Sequence, residues 1–442
     1  MKKAKAITLL SIVSAIVAFF LVFSFVPFSF GVKEFNSSLG AIELDYDLVG
    51  GRAYTLTLSE DNVEPVKDVN EVVSLLGNRM EALGYDVYEI KAVKDSNDAL
   101  VDYDIIIKAN AGINEYGNHD VSKLDSDISV VSAYGKVKFY GDSSSNPGAD
   151  KEILADMDVI KSAKYVPVYD GENLVHQVII TFENDACEKL LSFLNSTYYL
   201  KIMVGDSVLL DGSSPLSKEY IVNNQISITT GSEVSARQAA LQLSDGGLDY
   251  LYELDLTDAY NVTSPYGKTI LPTILFTIIG VLVLMMIFFI VVFKKLGVVS
   301  TLSTLVFVLL FVNMLIAIPG IKLSLGGVVG IVGALVLLSV ILTTSLFAIK
   351  KEAQNGKTAK NAVNYGLRRS FKSTAFACLS SSVVSLLLFA FTKGLVKGFA
   401  ITFGIGTVIA FVTLNVIFRM YNSLIYPLVK NKNDYVVKAE VE

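Results

Sequence analysis

The amino-acid sequence predicts a membrane protein, in which a six-helix α-helical transmembrane bundle carries one large extracytoplasmic α+β domain of ferredoxin-like plan. Of the 442 residues, 52% are hydrophobic and 18% are charged, where a soluble domain has about a quarter of its residues charged. The charge is also unevenly placed, because 39 of the 43 acidic residues fall in 28–269, between two apolar and basic flanks. This pattern excludes a single soluble globule, a disordered chain and a nucleic-acid-binding protein.

Six apolar runs are long enough to cross a bilayer. The first, Ala6 to Phe25, has about the ~20 residues that a helix needs to span a hydrocarbon core of about 30 Å. Five more follow near 270–293, 299–318, 326–349, 374–391 and 398–418. Because three lysines precede the first run, a cleaved signal peptide is one interpretation of it. Its length, and the bulky residues at 23–28 in place of a small-residue cleavage site, favour an uncleaved anchor.

The short connections between these runs carry unequal numbers of Lys and Arg. With six crossings, sixteen such cations fall on one side, and three fall in the short connections on the other, Lys322, Lys393 and Lys397. By the positive-inside rule, both termini are cytoplasmic and the acidic domain lies outside. The sequence thus predicts a multi-pass protein of the cell (cytoplasmic) membrane, surrounded by its lipid bilayer. Its predicted parts are a cytoplasmic N-terminus with the first helix (1–27), an extracytoplasmic domain (28–269), five helices (270–420) and a cytoplasmic tail (421–442).

Part of the outer domain shows a β-α-β-β-α-β order, with a long insertion before the second helix. Apolar residues recur at helical spacing over 72–83 and 234–243. Segments of alternating or β-branched character predict strands at 53–58, 87–90, 103–107 and 251–256. This order is that of a ferredoxin-like domain, and we assign it to a base at about 36–144 and 223–262.

The insertion, at about 145–222, has a pattern of its own. It contains a predicted strand at 178–182, a helix that begins after Asn184 and a hairpin over 201–210. A Gly-, Ser- and Asn-rich stretch at 141–148 precedes it and predicts a mobile connection. The sequence therefore predicts a movable head set into the base.

The predicted spans carry no Asp, Glu, His or Arg at core depth. A charged group there costs roughly 2.5–3.5 kcal/mol on insertion scales, so such groups persist mainly for function. The polar residues of the spans are short, mostly Ser and Thr, and are typical of helix packing. Elsewhere no nucleophile lies at a recognisable spacing from a base, and no Cys, His and carboxylate cluster has metal-ligand spacing. The sequence predicts neither an enzyme nor a bound metal or cofactor.

Several short motifs resemble those of one known family. Residues 47–51, D-L-V-G-G, are similar to its D-L-x-G-G signature, and residues 397–406, K-G-F-A-I-T-F-G-I-G, resemble its K-G-F-A-x-T-L-x-I-G. Residues 355–358 and 264–267 are similar to its N-G-K-S and G-P-x-L-G motifs. The chain thus resembles the SecD family of protein translocase subunits, within the RND superfamily, which implies an RND-like half bundle. The matching positions are Asp47, Gly50, Gly51, Lys397, Gly398, Phe399, Gly404, Gly406 and Arg419.

The chain departs from the family at the residues that the family is thought to use for proton coupling. Matching residues 327–330 to the family's G-I-A-G places its fourth-span aspartate at Val340, and no gap is needed from there to residues 355–357. The fifth-span D-x-N-L-T-T falls on 376–381, which places its aspartate at Phe376 and leaves only the hydroxyls of Ser380 and Ser381. The intramembrane carboxylates are therefore lost.

The resemblance implies an accessory subunit of the Sec translocase, which aids the release or pulling of exported polypeptides on the outer side. The implied partners are a SecF-like subunit that supplies the proton coupling, the SecYEG channel, YajC as a further candidate, and unfolded exported chains. Two alternatives stay open at this point: a divergent RND-type transporter half that exports a lipid or small molecule, and a membrane scaffold without a motor.

Overall fold

A computed structural model describes residues 3–26, 28–30, 33–35, 41–59, 66, 68–94, 103–112, 120–135, 137–148, 151–154, 159–171, 173–193, 198–204, 207–245, 248, 250–318, 321–429 and 435–436. The chain divides into two compact units. The helical unit comprises Met1–Val49 and Thr263–Glu442, and the β-rich unit comprises Gly50–Val262.

The α-helices of the described residues are numbered in chain order. They are α1 (Lys3–Phe25), α2 (Tyr46–Val49), α3 (Val69–Ala82), α4 (Val121–Val131), α5 (Asn184–Phe193), α6 (Glu233–Asp245), α7 (Ile270–Ala317), α8 (Leu325–Gln354), α9 (Ala359–Phe391), α10 (Leu395–Val412) and α11 (Arg419–Ile425). A π-helical turn at Thr413–Phe418 joins α10 to α11.

The strands are numbered in the same way. They are β1 (Phe28–Phe30), β2 (Lys33–Phe35), β3 (Gly51–Leu58), β4 (Glu89–Lys94), β5 (Tyr103–Ala109), β6 (Val137–Asp142), β7 (Glu152–Leu154), β8 (Ile160–Asp170), β9 (Asn173–Phe182), β10 (Tyr199–Val204), β11 (Ser207–Asp211), β12 (Gln225–Thr230), β13 (Tyr252–Leu254) and β14 (Tyr260–Val262). Strands β1 and β2 form an antiparallel pair within the helical unit.

The helical unit contains five described segments that are long and apolar enough to cross a membrane: Lys3–Phe20, Ile270–Ala317, Leu325–Gln354, Ala359–Phe391 and Leu395–Leu428. Together they cover all six predicted apolar runs, because α7 contains two of them. The core of the helical unit consists of large apolar side chains that are fully buried, among them Phe289, Phe307, Leu338, Leu342 and Phe418.

The backbone of α7 breaks once within its 48 residues. Lys294 has φ 47° and ψ −117°, a conformation that a residue with a side chain rarely adopts. Three residues later, Gly297 lies so close to the carbonyl of Phe289 that a Cβ atom would collide with it. In a straight helix Phe289 and Gly297 would be about 12 Å apart along the axis, so the chain bends sharply here. The break separates arms at 270–293 and 295–317.

The β-rich unit has two lobes, of which the five-stranded lobe comprises 50–135 and 248–262. Its antiparallel strands follow the order β13-β3-β5-β4, and β14 also pairs with β3. Alternate side chains of β3 and β5 are buried under α3 and α4, as period-two patterning requires. Tyr54, Leu56, Ile105 and Ile107 are fully buried there.

The second helix of this lobe is α4, which the sequence analysis did not predict. Its apolar residues recur at helical spacing and are buried in the core of the five-stranded lobe: Leu124, Ile128 and Val131. The side chain of Asp120 accepts a hydrogen bond from the backbone of Lys123 and so caps the helix. The carboxylate of Asp127 also lies on the buried face of α4.

The two-sheet lobe comprises 137–245. Its sheets have the orders β11-β10-β6-β7 and β12-β9-β8, and they share one core with α5 and α6. The helix predicted over 234–243 forms as α6, but its buried side chains face this core and not that of the five-stranded lobe: Ala236, Ala239, Ala240 and Leu243. Periodicity identifies a helix but not the sheet that it covers, and here the β8–β9 hairpin provides that surface. The lobe is therefore wider than the head expected at about 145–222.

Candidate functional site

The motif residues at 397–406 lie on α10, along its contact with α8. The hydroxyl of Thr402 donates to the carbonyl of Gly327 at 2.8 Å. Gly330 lies against that hydroxyl and Gly406 lies against the side chain of Ala334, with no room for a Cβ atom at either glycine. These small residues let the two helices approach closely, as in other packed membrane helices. We call this contact the α8–α10 seam.

Two further motif glycines lie on the same helix. Gly398 packs against the Ser324 hydroxyl, which itself accepts a hydrogen bond from the backbone of Gly327 at 3.2 Å. Gly404 packs against the hydroxyl of Ser385 on α9. The motif glycines of α10 thus contact both neighbouring helices, which explains their spacing by packing alone.

The remaining motif residues of α10 are Lys397 and Phe399. The ring of Phe399 stacks on that of Phe403, with centroids 5.2 Å apart. The Lys397 ammonium lies 5.8 Å from the centroid of the Phe389 ring on α9. Both contacts join neighbouring turns or helices of the bundle.

Three hydroxyl side chains of α9 are hydrogen-bonded to neighbouring helices. Ser385 donates to the carbonyl of Ala400 at 2.5 Å, and the hydroxyls of Ser382 and Thr407 are 2.7 Å apart. Further along α9, Ser370 donates to Ser345 of α8 at 3.0 Å. These bonds provide hydrogen-bond partners for polar groups inside the bundle and hold α9 against α8 and α10.

The positions that the resemblance assigns to the lost carboxylates lie on the surface of the helical unit. Val340 on α8 is 53% exposed and Phe376 on α9 is 74% exposed. Their neighbours one helical turn away, Val336 and Leu379, are also exposed and apolar. In the described segments 325–349 and 374–391 there is no Asp, Glu or His. This surface is chemically suited to lipid or to another apolar helix bundle, and not to a proton relay.

Asp47 lies in the short helix α2 and is 2% exposed. One carboxylate oxygen accepts a hydrogen bond from the backbone N–H of Leu325, the first residue of α8, at 2.6 Å. The backbone carbonyl of Asp47 accepts a bond from the hydroxyl of Ser264 at 2.5 Å. Burial raises the pKa of Asp47 above its ordinary value, although the Leu325 hydrogen bond opposes this shift. The first motif residue thus anchors the segment after α1 to the start of α8.

The next motif residues, Gly50 and Gly51, begin the β-rich unit. Gly50 has a φ of 84°, which an L side chain rarely adopts. Gly51 opens β3 so close to the carbonyl of Ala109 on β5 that a Cβ atom would collide with it. The double glycine is therefore required by a turn and by a close strand contact.

Arg419 begins α11, directly after the π-helical turn, and its side chain is exposed. It lines a cavity of about 650 Å³ together with Lys3 of α1 and Lys360 of α9. The family resemblance indicates Arg419, but nothing in the sequence places it near these two lysines. Their only sequence signal is the excess of cations on one side of the predicted membrane.

Comparison with known proteins identifies relatives of this chain. A family model described as "Protein export membrane protein SecD/SecF, C-terminal" matches residues 249–425. The protein translocase subunit SecD of Escherichia coli K12 is 29% identical over 194 residues, which cover 43% of this chain and 31% of that protein. SecD of Sebaldella termitidis is 24% identical over 380 residues, covering 84% of this chain and 86% of that protein.

The fold also has a counterpart among solved structures. A crystal structure of SecDF in a super-membrane-facing form matches with a TM-score of 0.71 and 18% identity, covering 95% of this chain and 57% of that one. The chain thus matches less than two thirds of the E. coli relative and of this solved chain.

The apolar helices define a multi-pass membrane protein, and its fold is that of SecDF. The matching family model and the relatives show that the chain is similar to SecD.

Proposed function

We propose that this chain is an accessory subunit of the Sec protein-export translocase, aiding the release or pulling of exported polypeptides on the outer side of the membrane. The observation that carries this proposal is the SecDF-like fold, which covers 95% of the chain. The relatives described as protein translocase subunits support it.

The proposed topology has six crossings, with both termini in the cytoplasm. The break at Lys294 supports a reading of α7 as two crossings, since 48 helical residues would measure about 72 Å, more than twice a hydrocarbon core of about 30 Å. Lys294 and Lys295 would then lie on the cytoplasmic side, with the other cations of the short connections.

In the β-rich unit, the proposed ferredoxin-like base is the five-stranded lobe and the proposed head is the two-sheet lobe. The order β3-α3-β4-β5-α4-β13 and the sheet order β13-β3-β5-β4 support the ferredoxin-like assignment. The head contacts unfolded polypeptide, and the base transmits rigid-body motion from the helices.

Proton coupling, where the translocase uses it, enters through a SecF-like partner. The apolar surface around Val340 and Phe376 supports this, because it offers no group that titrates. One charge that moves through 100 mV supplies roughly 2.3 kcal/mol, so a few protons in the partner can bias the head between two positions. The SecYEG channel and YajC complete the proposed set of partners, and the chain has no catalytic role of its own.

A depletion and rescue experiment tests the function. Loss of the chain should reduce secretion of proteins with signal peptides, and an intact copy should restore it. A lipid or drug phenotype with normal secretion would instead favour a transporter half, and no phenotype at all would favour a scaffold.

The location of the coupling is tested by matched variants in the rescued strain. Val340→Ala and Phe376→Ala should both rescue secretion fully, because neither side chain takes part in proton transfer. Replacement of a mid-membrane carboxylate in the SecF-like partner should abolish the proton-dependent part of export. A pull-down from native membranes that recovers neither a SecF-like chain nor a channel subunit would contradict the proposal.

A further inference from the structure

The cavity beside Arg419 is built from the ends of three helices and from the C-terminal segment. Its cations come from three separate parts of the sequence: Lys3 at the start of α1, Lys360 at the start of α9 and Arg419 at the start of α11. No described Asp or Glu lines it. Its volume of about 650 Å³ is within the range of about 300–1,000 Å³ that ligand clefts occupy.

The wall of the cavity is fixed by a buried polar pair. Tyr435 is fully buried and donates its hydroxyl to the side-chain oxygen of Asn422 at 2.8 Å. The amide nitrogen of Asn422 donates to the carbonyl of Phe418 at 2.9 Å, so both ends of this side chain are held. The ring of Tyr426 packs edge-on against Tyr435, with centroids 5.5 Å apart. The cavity is therefore a shaped site and not a loose surface of lysines.

One neutral donor also lines the cavity. Asn364 contributes an amide, and the planar guanidinium of Arg419 can bind two oxygens of one anion. Three positive charges with a neutral donor and no described carboxylate suit a tetrahedral anion with several oxygens. We propose that this cavity binds a phosphate-bearing anion.

The position of the cavity suggests two sources for that phosphate. Lys3 begins one apolar helix and Arg419 lies near the end of another, so the cavity lies at the level where such helices meet the headgroup region. Basic pockets at this level can bind the headgroups of anionic phospholipids. Free inorganic phosphate offers the same oxygens, and the experiment must separate the two.

The binding experiment uses the full chain in nanodiscs of phosphatidylcholine, with or without a minor share of phosphatidylglycerol, followed by extraction into mild detergent. Native mass spectrometry then counts the phospholipids that stay bound. The intact chain should retain phosphatidylglycerol in preference to phosphatidylcholine. Each cation removed by Lys3→Gln, Lys360→Gln or Arg419→Gln should weaken this preference by about fivefold.

The matched control removes the same charges outside the cavity, as Lys350→Gln, Lys351→Gln and Arg368→Gln, and should keep the preference. Titration with inorganic phosphate identifies the source: if phosphate displaces the lipid and binds by itself with the same dependence on the three cations, a free anion is a ligand. If only the lipid binds, the headgroup is the ligand. Equal retention of both lipids with no phosphate binding would overturn the proposal, as would an equal loss in the control triple variant.

Discussion

The carboxylate of Asp127 on α4 and the guanidinium of Arg237 on α6 lie 2.7 Å apart, and they join the two lobes of the β-rich unit. The side chain of Asp127 is fully buried and also accepts a hydrogen bond from the hydroxyl of Tyr85 at 2.7 Å. The two lobes have separate apolar cores, and this ion pair links the proposed base and head. The side chain of Gln242 on α6 also links them, since it donates to the carbonyl of Tyr134 at 2.6 Å.

Arg237→Ala should destabilise the β-rich unit by about 3 kcal/mol, because it leaves a buried carboxylate without its countercharge. The control is Glu233→Ala, which removes a carboxylate that lies 4.0 Å from Arg237 and is 55% exposed. Its effect should stay below about 1 kcal/mol. Hydrogen exchange of α4 and α6 in the full chain measures both changes, and equal protection in the two variants would contradict the assignment.

Asp47 should make the stability of the helical unit depend on pH. Since burial raises its pKa, the folded chain holds the proton more tightly than the unfolded chain. The stability that this residue contributes is therefore complete in acid and is lost as the pH rises through the folded-state pKa. Asp47→Asn keeps an acceptor for Leu325 and removes the charge. The stability of this variant relative to the native chain should therefore increase as the pH rises from about 4 to about 7.

Thermal unfolding of the full chain in detergent, at a series of pH values, measures this difference. Asp47→Ala is the companion variant, since it leaves the buried N–H of Leu325 without its acceptor and should cost about 1–3 kcal/mol at every pH. A constant offset between the native chain and Asp47→Asn across the series would show that the carboxylate is not perturbed.

The α8–α10 seam should not tolerate one added methyl group. Gly330→Ala would place its Cβ atom against the hydroxyl of Thr402, and overpacking of this kind typically costs about 1–3 kcal/mol. Gly280→Ala, on α7, is the control because a Cβ atom there meets nothing within 4 Å. A fall in the unfolding temperature for Gly330→Ala alone is expected, and similar temperatures for both variants would refute close packing at the seam.

Much of this fold follows from hydrophobic patterning, and some of it does not. The apolar runs predicted α1, α8 and α10 closely, because about 20 apolar residues in a row have few alternatives. The helix α9 begins at Ala359, 15 residues before its predicted run. The separate runs at 270–293 and 299–318 also predicted an interruption where the break at Lys294 lies, but the backbone conformation of Lys294 beside Gly297 was not predicted. The helix α4 was missed because one position of its buried face is a carboxylate, Asp127.

Contacts between distant segments were the least predictable part of the candidate site. The motif marked Asp47, but nothing local pairs it with Leu325, 278 residues later. The cavity likewise joins Lys3, Lys360 and Arg419 through the packing of three helix ends. Gly404 and Gly406 allow close helix contacts, which are typical of small residues in membrane helices.

The six-crossing topology predicts the side on which each connection can be labelled. With Cys187 and Cys378 replaced by Ser, single cysteines at Tyr266 and Lys322 should both react with an impermeant thiol reagent from outside the cell. A cysteine at Tyr365, which is 51% exposed, should react only after the membrane is opened. If positions 266 and 322 react from opposite sides, α7 crosses an odd number of times and the topology is wrong.

The central claim is that energy from an ion gradient reaches this chain only through another polypeptide. The most direct test reconstitutes the chain alone in liposomes, with fluorophores at Lys91→Cys in the five-stranded lobe and Tyr169→Cys in the two-sheet lobe, both exposed positions. The pH is then changed only on the side opposite the β-rich unit. The account predicts no change in energy transfer between the fluorophores until a SecF-like partner is added. A change in the chain by itself would contradict it.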